Sequence, residues 1–88
     1  MNTQIINSAS DLYQLVGHLK VECDKNGLTE LATPLDDALN LGSSGLEILG
    51  AIRQTFVKNR ITIQRLLGPS GKAQIERVIN FVDTAFGR

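Results

Sequence analysis

Apolar residues recur along this chain at helical spacing, in blocks separated by turn residues. Leu12, Leu15, Val16, Leu19 and Cys23 fall at i, i+3, i+4, i+7 and i+11, which is one face of a helix. Ser8 or Ser10 offers an N-cap before it, and Asp11 suits the positive end of its dipole. Asn26-Gly27 closes it, because glycine tolerates the left-handed conformation that ends a helix. A second stripe comprises Leu28, Leu31, Ala32, Leu35, Ala38 and Leu39. Pro34 sits inside this stripe and has no N–H to donate to the residue four back. Either Thr33 caps a short helix opening at Pro34, or a longer helix runs from about Thr29. The unbroken apolar spacing upstream of the proline favours the longer helix, and Gly42 is its expected stop.

The stretch Gly42-Ser43-Ser44-Gly45-Leu46-Glu47 reads as a turn followed by a helix start. Ser44 can cap the exposed N–H groups, and Glu47, three residues on, can reach back to the N–H of Ser44. Ile48, Leu49, Ile52 and Phe56 line one face of the helix that follows. Leu46, Ala51 and Val57 spread apolar character around the rest, which predicts a central helix touching more than one neighbour. Gly45 and Gly50 lower its propensity, and close packing against another helix is the expected compensation. Asn59 interrupts the stripe, and Ile61-Thr62-Ile63 is β-branched. The third helix is therefore expected to end near Asn59, with a short irregular or helical segment to Leu67. Gly68-Pro69-Ser70-Gly71 is a break. Ser70 is the expected cap of a last helix with the stripe Ile75, Val78, Ile79, Val82 and Phe86, ending at Gly87.

Four amphipathic helices with short connections predict an all-α fold, a small antiparallel four-helix bundle. With 88 residues the chain is long enough for one domain. Residues 1–9 read as a flexible N-terminal arm, on which Ile5 and Ile6 could dock against a neighbour, and residues 10–88 as a single helical domain. A domain this small buries only about 60% of the surface its unfolded chain exposes, and pairing of subunits is a common way to gain core.

Composition is that of a soluble globular protein, 42% hydrophobic and 20% charged, with no net charge. The charge is unevenly placed. Residues 1–44 hold two basic side chains against six acidic ones, a net of −4, whereas residues 45–88 hold seven basic against three acidic, a net of +4. This asymmetry can serve attraction between halves of one fold, a self-complementary dimer or a basic face for an acidic partner. Solvated surfaces that partly neutralise each other within one molecule are the plainer account. Cys23 is the only cysteine, which fits a reducing cytoplasm. Met1–Asn7 lacks the basic cluster and apolar run of a signal peptide, and the longest apolar run, Ile48 to Ile52, is far short of a membrane span.

No catalytic, cofactor or metal constellation stands out. His18, the only histidine, falls one turn before Glu22, as in a surface ion pair, and His18 with Cys23 does not form a converging ligand pair. Cys23 lies on the apolar stripe as a small core residue. Asp36 and Asp37 are adjacent, so on a helix they point about 100° apart rather than together. Gly68-Pro69-Ser70-Gly71-Lys72 has the flavour of a phosphate loop, but it has two residues where that motif needs four, and Ala73 stands where Ser or Thr is required.

A second class of reading is nucleic-acid binding. The spacing of Ala38, Gly42 and Ile48 resembles that of a degenerate helix-turn-helix over residues 34–53, backed by the basic C-terminal half. A recognition helix opening at Ser44 would present Leu46, Leu49 and Gly50 to the major groove, with only Arg53 able to read a base edge. Zero net charge supplies little of the phosphate attraction on which DNA affinity depends. The sequence therefore ranks a non-enzymatic, self-associating protein-interaction module first, and a homodimer with a largely apolar interface at helix 3 or helix 4 is expected. Nucleic acid binding through Arg53, Lys58, Arg60 and Arg65 ranks second, and catalysis third. The apolar residues left over from the stripes, Leu46, Val57, Ile61 and Phe81, carry the first reading.

Overall fold

A computed structural model describes residues 5–41 and 44–87 of the chain. All its regular structure is helical: α1 (Ala9–Lys25), α2 (Thr29–Leu39), α3 (Gly45–Lys58), α4 (Arg60–Leu67), a single 3₁₀ turn (Gly68–Ser70) and α5 (Gly71–Ala85). The four expected blocks become five helices because residues 60–67 form a helix of their own. Tertiary packing overrides the β-branched preference there, with Ile63 and Leu67, one turn apart, both buried.

Several boundaries have an identifiable local cause. Ser8 supplies the first cap: its Oγ accepts the N–H of Asp11 at 3.2 Å, while Asp11 Oδ2 accepts the N–H of Asn7 at 3.0 Å. At the other end of α1, Leu28 N–H donates to Cys23 O and Gly27 N–H to Asp24 O, with Gly27 at φ +67°. These two bonds, six-to-one and five-to-two, make a Schellman closure in which glycine takes the left-handed position. Pro34 lies inside α2 without ending it. The expected stop at Gly42 lies outside the described residues. Within them α2 ends at Leu39, and Asn40 closes it.

Asn40 belongs to a recurring device. Asn26, Asn40 and Asn59 follow α1, α2 and α3, and each folds its side-chain amide back to a carbonyl four residues earlier, on Glu22, Asp36 and Thr55, at 2.7, 2.8 and 3.0 Å. Each of these carbonyls also accepts the backbone N–H of the same asparagine, so the side-chain amide adds a second hydrogen bond to the closing turn. The Ser44 cap of α3 forms as the sequence implies, its Oγ accepting Glu47 N–H at 3.2 Å. Ser70 does not behave as expected. It closes the 3₁₀ turn in a bridge conformation, φ −89° and ψ 3°, and its side chain makes no capping bond to α5.

The buried side chains form one cluster drawn from all five helices. α1 packs on α2 and α4, α2 on α3, and α3 and α4 each pack on α5, so the helices surround the core in a closed circuit. Phe56, Leu12, Leu15, Leu19, Leu35, Ile52, Ile63 and Ile75 are its largest fully enclosed residues. The Cα radius of gyration is 11.9 Å, matching the roughly 12 Å of a folded domain of this length. α3 contributes Leu49, Ile52 and Phe56 to this core and packs on α2, α4 and α5, touching more than one neighbour as its spread of apolar residues implies. Its glycines differ from expectation. A side chain at Gly45 would meet open space, and one at Gly50 would meet the ring tip of Phe86 at an ordinary 3.4 Å. The glycine that close packing requires is Gly71, where a Cβ would lie 2.6 Å from Gln64 O and 2.9 Å from Gln64 Cα. α4 and α5 approach backbone to backbone at that point.

Candidate functional site

Most chemistry-bearing residues are placed apart from one another. His18 is exposed on α1, and Cys23 is fully buried in the core. Burial, with smaller contributions from the Asp24 and Glu22 carboxylates, pushes the Cys23 thiol above its ordinary value of 9.0, opposite to what a nucleophile needs. Asp36 and Asp37 diverge as helix geometry requires. Asp36 receives the Lys20 ammonium and the Asn40 amide, while Asp37 is exposed. Among the described residues no three His, Cys, Asp or Glu side chains converge as a metal site would require. The glycine-rich Gly68–Lys72 stretch offers no phosphate cradle, since Gly71 N–H is already bonded to Gly68 O and Gly71 itself is pressed against α4.

The elements of the helix-turn-helix resemblance are distributed as follows. Ala38 and Leu49 are buried, Ile48 packs against the core, and Gly42 lies outside the described residues. Leu49 therefore faces inward, as its place on the apolar face of α3 implies, and is not presented as a helix-turn-helix would require. Arg53, the single candidate base reader, donates from Nε to Asp83 Oδ1 on α5 at 2.8 Å. Arg60 is likewise held by Glu76 Oε1 at 2.8 Å. Of the four basic residues expected to track phosphates, two are engaged in ion pairs within the fold. Lys58 and Arg65 remain exposed.

These ion pairs bear on the charge asymmetry. Lys20 pairs with Asp36 and Lys25 with Glu22 in the acidic half, and Arg53 with Asp83 and Arg60 with Glu76 in the basic half. Among the described residues no ion pair joins one half to the other. Apart from Glu47, the minority charges are used locally, so each half keeps an excess of its own sign: Asp24, Glu30 and Asp37 on one, Lys58, Arg65, Lys72 and Arg77 on the other.

One surface combines that excess with apolar side chains. Leu46, Val57 and Ile61 are 48%, 43% and 68% exposed. The first two lie on one flank of α3, and Ile61 continues the line across Asn59 onto α4. Phe86 joins them from the end of α5, its ring tip against Gly50. A shallow cavity of about 440 Å³ lies between Val57 and Phe86, lined also by Gly50, Arg53, Gln54 and Lys58. Lys58 and Arg60 border the adjoining hollow around Ile61. Phe81 within α5 and Phe86 just after it thus exchange the roles expected of them. Phe81 is half-buried and packs on the core, while Phe86 follows the last residue of α5 and is exposed. Spacing alone assigns Phe86 to the buried stripe, but the neighbouring Thr84 and Ala85 are exposed too, so the stripe has run past the core by then.

No helix among the described residues is long and apolar enough to cross a membrane. The chain matches no known family model, and no curated protein or solved structure is significantly similar to it.

Proposed function

We propose that this chain is a helical protein-interaction module that self-associates, and that it works by binding rather than by chemistry. The observation that supports this reading is the exposed line Leu46, Val57, Ile61 and Phe86 on a domain whose other large apolar side chains are mostly enclosed. Apolar side chains gathered on one face lose contact with water when a partner covers them, and the hydrophobic effect favours that contact in proportion to the area covered. Basic side chains at the margin, Lys58 and Arg65, keep the face hydrated when it is free and orient a partner when it is not. The patch is small, so the association is weak and concentration-dependent, as suits a reversible contact.

Sedimentation velocity over a range from low to high micromolar tests this. The wild-type coefficient rises with concentration, and Val57→Asp with Ile61→Asp abolishes the rise. Both positions are exposed, so the substitutions change the stability of the monomer by only about 0.5 kcal/mol. Concentration-independent sedimentation of the wild type as a 9.6 kDa monomer contradicts the reading.

A further inference from the structure

On the self-association reading, the charges beside the apolar line specify how two copies meet. Leu46 and Val57 are eleven residues apart on α3, and so are Glu47 and Lys58. Eleven residues make about three turns and rise about 16 Å, so each pair lies along one line of the helix surface. The apolar line and the charged line run side by side. Glu47 and Lys58 are exposed at opposite ends of the helix, and neither takes part in an ion pair among the described residues.

We propose that the partner on this face is a second copy of the chain, docked through α3 in an antiparallel, two-fold arrangement in which Glu47 of each copy meets Lys58 of the other. A two-fold axis perpendicular to the helices, passing between Gly50 and Gln54, reverses the order of residues on one copy. Leu46 then faces Val57, and Glu47 faces Lys58, in both halves of the contact at once. The Phe86 ring, its tip against Gly50, lies beside the axis and adds apolar surface to the contact. A parallel pairing leaves Glu47 and Lys58 of different copies about 16 Å apart along the axis, so neither charge pair forms. The antiparallel pairing also places each helix's positive end beside its partner's negative end.

A charge-reversal cycle read by sedimentation tests this. Glu47→Lys and Lys58→Glu should each weaken self-association about three- to tenfold through two symmetry-related pairs. The double variant should return to within about twofold of wild type, since reversing both charges restores attraction. The neutral variants Glu47→Gln and Lys58→Gln, each expected to give a smaller loss, serve if a reversal unfolds α3, whose terminal turns favour the native signs. Thermal melts by circular dichroism at low concentration establish that each variant is folded. Dimers indifferent to the single changes, or a double variant weaker than either single, overturn the arrangement while self-association itself stands. A wild type monomeric at every concentration overturns both.

Discussion

Replacing Gly71 by alanine isolates the closest backbone contact in the fold. Gly71 has helical angles, φ −59° and ψ −43°, which alanine adopts freely. On propensity alone the change should stabilise α5 by up to about 1 kcal/mol. Packing opposes it. The new Cβ would stand 2.6 Å from Gln64 O and 2.9 Å from Gln64 Cα, where real Cβ contacts lie well beyond 3.0 Å. Both obstructing atoms are backbone, so no rotamer change relieves them. The start of α5 must move away from α4 by on the order of half an ångström, loosening the contact around buried Leu67 and Ile75. Overpacking of this kind costs about 1–3 kcal/mol, so the net effect is a loss of about 1–2 kcal/mol. Urea denaturation followed by circular dichroism measures it. Gly45→Ala, facing open space, and Gly50→Ala, in ordinary contact with a side chain that can turn, should be neutral or stabilising in the same assay. If Gly71→Ala were as stable as those two, the α4–α5 approach described above would be wrong.

Other substitutions and conditions probe the remaining features. Ile52→Ala and Leu49→Ala should each lose about 2–5 kcal/mol in denaturant melts, with Ser44→Ala losing about 0.5–2 kcal/mol through its cap; near-zero losses at both apolar sites would remove α3 from the core. The Cys23 thiol should resist alkylation in the native protein and react on unfolding, and rapid native labelling would contradict its burial. Its raised folded-state value means that the unfolded chain releases the proton first, so its contribution to stability is complete below pH 9.0 and declines as the pH rises through the folded value. That decline should be smaller in Cys23→Ala when the two proteins' melts are compared across alkaline pH. Binding to duplex DNA at physiological salt should be undetectable by fluorescence anisotropy; tight binding with a steep salt dependence, reduced by about one unit of slope in Lys58→Ala, would restore the nucleic-acid reading.

The parts of this fold legible in the sequence are those set by neighbours along the chain. All five residues of the α1 stripe are buried, because a 3.6-residue repeat encodes one face directly. Ser44 caps α3 and Asn26-Gly27 closes α1, because both depend on a few consecutive residues. Features that depend on where two helices meet were not legible. Gly71 looks like a turn glycine until α4 lies against it, and Gly50 looks like a packing glycine although it faces a ring. Arg53 finds Asp83 thirty residues away, and Arg60 finds Glu76 sixteen away, separations that carry no local pattern. For the same reason the sequence counted four basic residues where the fold leaves two exposed and unpaired among the described residues. The exchange between Phe81 and Phe86 had one local clue, the position of Gly87 directly after Phe86, since a side chain at the last step of a helix often lies beyond the core it follows.

The central claim is that the flank formed by Leu46, Val57, Ile61 and Phe86 is where this protein makes contact with another copy. Backbone amide NMR spectra recorded through a dilution series test it most directly. Concentration-dependent shifts should cluster on α3, the start of α4 and the last residues of α5, with α1 and the outer face of α2 unchanged. Spectra that do not change with concentration, or changes centred on the acidic surface of α1 and α2, would contradict it.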